Sequence, residues 1–245
     1  IHTGERLPSV PHIEMTLDVL RARGVEADSP APGEWRVAPG PIRARDLTIE
    51  PDLSNAAPFL AAALVAGGHV TVPNWPTTTT QVGDQLRGLL PAFGAEVTYT
   101  PGPSGSGSLT VTGSGKIRGA HLHVPEAGEL APTLVGLAAL ADEPSEITGI
   151  GHIRHHETDR IAALVAEIRG LGGSADELED GIAIRPASLH DGSWKSYADH
   201  RMATTGALLG LRAQGVQIED VESTAKTLPQ FTQLWERMLS GTGAG

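Results

Sequence analysis

The 245-residue sequence contains no cysteine. It can therefore form no disulfide, no thiolate metal site and no cysteine nucleophile. It is also short of positive charge, since 18 lysines and arginines against 29 aspartates and glutamates leave a formal net charge of -11. A nucleic-acid backbone is bound by an extended basic surface that displaces counterions, so no nucleic-acid partner is expected, and an anionic ligand must meet a local basic cluster. Long apolar runs are lacking too. The longest without glycine, Phe59 to Ala66, is far short of the roughly 20 residues of a membrane span, and no charged, apolar and small-residue leader opens the chain. These features lead to the expectation of a soluble, cytoplasmic protein with no membrane partner. The first residue is Ile1, not Met, and the chain is read as a fragment of a longer protein.

What is present is apolar material, 40% of the residues, punctuated by 30 glycines and 18 prolines. They fall mostly between periodic segments, which indicates many short elements joined by turns. Three stretches share one plan of amphipathic helix, glycine stop, short acidic strand, turn and second strand. The first runs from Ile13, Leu17 and Leu20 to Gly24, then through Val25–Ala27 and Trp35–Val37. The second predicts one helix over Val82–Phe93, stopped by Gly94, then strands at Ala95–Val97 and Leu109–Val111. The third runs from Ile161 to Gly172, then through Ala175–Asp176 and Ile182–Ile184. Each is followed by an alanine-rich helix opening at Asp52, Gly128 or Asp199, and then by a β-branched strand near Val70, Ser145 or Val216. Alanine lets backbones approach closely, so these helices are expected inside, with the charged helices and the sheets around them.

Polar residues gather where helices begin. His152-Ile153-Arg154-His155-His156-Glu157-Thr158-Asp159-Arg160 leads into the third outer helix, and a helix start favours anions. On spacing alone, Glu157 and Asp159 read equally as first-turn acids and Arg160 as an exposed helical residue. His155 and His156 are adjacent, unlike the i, i+4 pair of a zinc helix, so no metal is expected. In Tyr197-Ala198-Asp199-His200-Arg201-Met202, Asp199 can cap a helix while His200 and Arg201 face outward from its end. Lys226 reads as a solvated loop lysine. Glu129 stands at the head of an apolar helix, where capping and general-base work are both open readings.

Pro11-His12-Ile13-Glu14-Met15-Thr16-Leu17, Glu157-Thr158-Asp159-Arg160, Asp199-His200-Arg201-Met202-Ala203 and Ala225-Lys226-Thr227-Leu228-Pro229, in this order, resemble the EPSP synthase family over essentially the whole chain. The resemblance implies an α/β (α+β) fold, an inside-out α/β barrel built from βαβαββ repeats as in enolpyruvyl transferases. It makes residues 1–49 the C-terminal remnant of a first domain and residues 50–245 most of a second. It also places the family's Lys-Ser motif, glycine-rich loop and Ser-Ser-Gln segment in an N-terminal half outside this sequence. The implied activity is transfer of the enolpyruvyl group from phosphoenolpyruvate to the 5-hydroxyl of shikimate 3-phosphate, in aromatic amino-acid biosynthesis, by a monomer without cofactor. By the same resemblance Glu129 is the base, and Glu157 and Lys226 move protons at the enolpyruvyl carbon. Arg160, Arg201 and Lys226 clamp phosphoenolpyruvate and His200 orients them, while Ser9, Glu129, His152 and His156 meet shikimate 3-phosphate. The family commonly has Asp where Glu129 stands and Lys where His156 stands. The UDP-N-acetylglucosamine enolpyruvyl transferase, RNA 3'-terminal cyclase and a non-catalytic module share the architecture. The Glu-Thr-Asp-Arg and Asp-His-Arg-Met segments favour the shikimate enzyme, and the chain alone is expected to be inactive.

Overall fold

The computed structural model of the chain describes residues 10–241. Helix α1 (Val10–Arg21) is followed by the antiparallel hairpin of β1 (Ala27–Ala31) and β2 (Glu34–Val37). Residues 38–52 carry no regular structure. Helix α2 (Leu53–Ala66) starts where the Asp52 carboxylate accepts the Asn55 backbone N–H at 3.0 Å, and β3 (His69–Pro76) follows it.

The helix expected over Val82–Phe93 is broken into a 3₁₀ turn, the four-residue helix α3 (Leu86–Leu89) and a second 3₁₀ turn. Pro91 has no N–H to donate into the ladder, and Gly83 and Gly88 disfavour a continuous helix. The apolar stripe survives the break, because Leu86, Leu90 and Phe93 are all fully buried. Strands β4 (Glu96–Pro101) and β5 (Ser106–Thr112) then complete a three-stranded antiparallel sheet in the order β3-β5-β4, with Val111 opposite both Val70 and Val97.

The next copy is complete. It comprises β6 (His121–His123), α4 (Ala131–Ala139), β7 (Ser145–Thr148), α5 (Arg160–Gly170), β8 (Ser174–Leu178) and β9 (Gly181–Arg185). This is the expected βαβαββ unit, and its sheet runs β6-β7-β9-β8. The last copy begins with β10 (Gly192–Lys195), α6 (His200–Gly210) and β11 (Val216–Glu219), whose two strands pair in parallel, and it continues into α7 (Phe231–Leu239). The three-residue β6, the four-residue β10 and α7 were not anticipated from the sequence. Helix α7 seals the barrel with Phe231 and Trp235, whose rings meet Phe59 at 5.7 and 5.4 Å.

The alanine-rich helices α2, α4 and α6 pack on one another at the centre, and the sheets lie around them. Every residue of α4 is buried, and each fully buried leucine or valine there contributes about 1.5–3 kcal/mol. A Cβ at Gly136 would lie 3.1 Å from Thr205 and 3.3 Å from Leu208, so glycine sets how closely α4 approaches α6. No helix among the described residues is long and apolar enough to cross a membrane. This arrangement brings the starts of α4, α5 and α6 to one end of the barrel, where their functional side chains meet.

Candidate active site

Asp199 organises this end. Its Oδ1 accepts the Arg201 backbone N–H at 2.8 Å, which caps α6. The same carboxylate receives the Arg160 guanidinium through Nε at 2.7 Å and Nη2 at 3.2 Å. Both side chains are fully buried, so this is a charge-assisted bidentate pair out of contact with solvent. Arg160 is the first residue of α5, whose cap is Asp159 accepting from Ala162 N–H at 3.0 Å. The sequence reading of Arg160 as an exposed helical residue does not hold, because three carboxylates draw its guanidinium inward.

From Arg160 the network spreads to the cavity. Its Nη2 donates to Glu157 Oε2 at 2.9 Å, and its Nη1 donates to His156 Nδ1 at 3.0 Å. Arginine only donates, so Nδ1 of His156 accepts and the ring proton belongs on Nε2. Arg201 donates from Nε to Glu129 Oε2 at 2.8 Å and from Nη1 to the Ser54 carbonyl at 3.0 Å. That carbonyl is free because its helical partner four residues on is Pro58, which has no N–H. Lys226 pairs with Glu157. The site thus sets Arg160, Arg201 and Lys226 against Glu129, Glu157 and Asp199.

Two expectations are corrected here. His200 and Arg201 do not face outward; they are 5% and 7% exposed, Arg201 being drawn in by the Glu129 carboxylate. Glu129 is not a cap, because the N-cap of α4 is Leu130, with no side-chain hydrogen bond, and the Glu129 carboxylate reaches across to α6. Lys226 ends a 3₁₀ turn (Val221–Lys226), and its exposed side chain is paired to Glu157. Ser9, expected at shikimate 3-phosphate, lies outside the described residues. His200 Nδ1 is buried without a hydrogen-bond partner, 3.8 Å from Asp199 Oδ1.

A cavity of about 500 Å³ opens in front of this network, lined by Glu129, His152, His156, Glu157 and Lys226, with Pro11 and His12 of α1 opposite. Arg160 and Arg201 do not line it; they are buried behind Glu157 and Glu129, to which they donate. His152 is packed so tightly on the backbone that a Cβ at Gly128 would fall 2.2 Å from its Nε2. The loop carrying His152 and His156 is anchored by Asp180, which the sequence reading did not single out. Its carboxylate accepts the N–H groups of Gly149 at 3.1 Å and Gly151 at 2.7 Å. Arg154 ties the same loop to β8 through Glu177 at 2.7 Å and the Leu178 carbonyl at 3.1 Å. Among the described residues no group of three or more His, Asp or Glu side chains is arranged to hold a metal ion.

Burial alone would raise Glu129, but the charges of Arg201, Arg160 and His156 and the Arg201 hydrogen bond outweigh it and hold the carboxyl below its usual value. Glu157 is brought down to about 2, because its bonds to Lys226 and to its own backbone N–H, with the charge of Arg160, overcome its burial. Burial lowers His152, His156 and His200; Arg160 adds to it at His156, and Arg201 at His200. All three imidazoles therefore favour the neutral form.

A histidine with a folded pKa below its unfolded value of 6.5 binds fewer protons folded than unfolded, so stability is full above that value and declines as pH falls through it. Glu157 contributes in the same direction, but between its ordinary 4.5 and about 2. The midpoint of thermal unfolding should accordingly fall between about pH 7.5 and about pH 5.5, with proton uptake on unfolding seen in buffer-dependent calorimetry. Proton release in that interval would contradict the assignment of neutral imidazoles.

Comparison with known proteins bears on the family and the fold. The family model described as EPSP synthase (3-phosphoshikimate 1-carboxyvinyltransferase) matches residues 1–235. The 3-phosphoshikimate 1-carboxyvinyltransferase of Kocuria rhizophila is 54% identical over 237 residues, which are 97% of this chain and 52% of that protein. The chain thus spans about half the length of the curated relative it matches. An EPSP synthase structure from Acinetobacter baumannii superposes with a TM-score of 0.79 at 26% identity, covering 96% of this chain and 55% of the other. The enolpyruvyl transferase NikO from Streptomyces tendae, at 19% identity and a TM-score of 0.66 over 93% of this chain and 53% of its own, shares the fold. With the family's model matching residues 1–235 of the chain and the βαβαββ unit in place, the chain belongs to the EPSP synthase family.

Proposed function

We propose that this chain forms part of a cytoplasmic, monomeric enzyme that transfers the enolpyruvyl group from phosphoenolpyruvate to the 5-hydroxyl of shikimate 3-phosphate. In this reading residues 50–245 are most of one domain, and residues 1–49 belong to the domain across the cleft. The observation that carries it is the carboxylate of Glu129 held between Arg201 and the Arg160–His156 pair at the edge of an open cavity. One group there can take a proton while its neighbours bind anions.

The hydroxyl oxygen bonds to C2 of phosphoenolpyruvate as Glu129 takes its proton and C3 gains one. Glu157, ionised well below neutral pH, has no proton to give, so the C3 proton comes from the Lys226 ammonium that Glu157 orients. In the second step C3 returns a proton to Lys226, the bond from C2 to the phosphate oxygen breaks, and phosphate leaves with the proton from Glu129. Arg160 and Arg201 face the anionic groups of phosphoenolpyruvate, aided by Lys226. His200 orients that cluster, while His152 and His156 meet shikimate 3-phosphate.

The test is phosphate release from phosphoenolpyruvate by the complete protein and by the 245-residue chain. Release dependent on shikimate 3-phosphate is expected from the complete protein. None above background is expected from the chain, where little but Pro11 and His12 faces the cluster and the reactants are not held together. Release dependent on UDP-N-acetylglucosamine would overturn the substrate assignment.

A further inference from the structure

Outside the cavity, Glu167 is a buried carboxylate, 8% exposed, that the reaction scheme does not use. Its Oε2 accepts the Lys195 backbone N–H at 2.9 Å and its Oε1 accepts the Tyr197 hydroxyl at 2.7 Å. Lys195 ends β10 and His200 begins α6. In the turn between them Tyr197 and Ala198 have φ of 55° and 54°. Residues with a Cβ seldom adopt this left-handed conformation, and two in succession persist only where the surroundings over-determine them. Within the turn, Asp199 N–H donates to the Ser196 carbonyl at 2.9 Å, and Ser196 Oγ donates to the Asp220 carbonyl at 3.3 Å. Two further bonds, both to Glu167, tie the turn to α5.

The next residue along is Asp199, which holds Arg160. Glu167 lies seven residues after Arg160 on α5, two helical turns away and on the same face. One helix therefore carries both the arginine and the carboxylate that fixes the turn delivering the arginine's partner. We propose that Glu167 and Tyr197 are positioning residues that hold the Lys195–Asp199 turn in its left-handed form, so that Asp199 presents both carboxylate oxygens to Arg160. The consequence for phosphoenolpyruvate binding rests on the proposed function; the geometric claim does not. A strut that only stabilised the fold would leave the Arg160–Asp199 bond unchanged in molecules that remain folded.

The experiment follows the Arg160 Nε–H by nuclear magnetic resonance in the 245-residue chain, the signal being assigned by its loss in Arg160→Lys. Tyr197→Phe removes one hydroxyl from a side chain that is 40% exposed, so folding should survive, and hydrogen exchange at Nε should accelerate about fivefold as the bond opens locally. Glu167→Ala should accelerate it about fiftyfold, and Glu167→Gln, which keeps an acceptor for Lys195, should bring it back within about threefold of the unmutated rate. Trp75→Phe is the control for lost stability, because it breaks the Trp75–Asp84 bond of 2.7 Å in another sheet. Exchange at Arg160 in Tyr197→Phe and Glu167→Ala no faster than in Trp75→Phe would overturn the proposal. In the complete protein, Tyr197→Phe should also raise the KM for phosphoenolpyruvate about tenfold and leave that for shikimate 3-phosphate within about twofold. The exchange measurement needs no substrate, so it decides the positioning role even where the proposed reaction fails.

Discussion

Glu129→Gln in the complete protein is expected to lower turnover by about 100-fold or more, the scale of a lost general base, with both KM values changed only a few-fold. Glutamine keeps the length of the side chain and an oxygen that can accept from Arg201 Nε, now at 2.8 Å from the carboxylate. What it loses is the ability to hold the hydroxyl proton between addition and elimination. In the free site the arginines make Glu129 a weak base. Anionic substrate between Arg160 and Arg201 would offset their charge, and Glu129 would regain basicity where a proton must be taken. Near-normal turnover in Glu129→Gln would remove Glu129 from the proton path, and a rise in KM at constant kcat would make it a binding group instead.

Asp199→Ala should be the most destabilising single change at this end of the barrel. It strands a fully buried guanidinium, a loss of about 3–5 kcal/mol where nothing else compensates. Glu157 at 2.9 Å and Glu129 at 3.9 Å put the expected cost near the lower end of that range. Loss of the α6 cap adds about 1 kcal/mol. Urea unfolding of the 245-residue chain measures the sum as a shift in midpoint at unchanged slope. Asp199→Asn, which retains the cap acceptor, should cost less, and Arg160→Met combined with Asp199→Ala should cost less than the two single changes added together. Strict additivity would mean that the buried pair is not coupled.

The alanine-rich helices and the glycine-stopped outer helices were legible because each depends on local signals, small residues in series or an apolar stripe ending in glycine. Val82–Phe93 shows the limit of such signals. Its stripe is genuine and Leu86, Leu90 and Phe93 are buried, yet Pro91 and two glycines divide the backbone. Helix α7 has Phe231, Leu234, Trp235 and Met238 at helical spacing, so its signal was present and simply not drawn out. At the site, the family resemblance, and not spacing, grouped Glu129, Glu157, Arg160, Arg201 and Lys226. Which way they point was not legible. Arg160 and Arg201 are buried because of carboxylates 39 and 72 residues away in sequence, and a helical period carries no information about such partners. Glu167 went unnoticed for the same reason, since a carboxylate on an amphipathic helix reads as a solvent-facing residue until Lys195 and Tyr197 are seen above it.

The anchoring of residues 149–156 bears on the entropy of ligand capture. A loop presenting two imidazoles to a cavity would ordinarily sample many conformations, and fixing each residue costs about 1–2 kcal/mol at ambient temperature. Here the Asp180 carboxylate grips the loop at Gly149 and Gly151, and Arg154 grips β8. Its freedom is surrendered when the β8–β9 hairpin forms. An anion entering the cavity, as the proposed function requires, would meet a loop already anchored, so that ordering cost would fall on folding rather than on association, and affinity would reflect the contacts themselves.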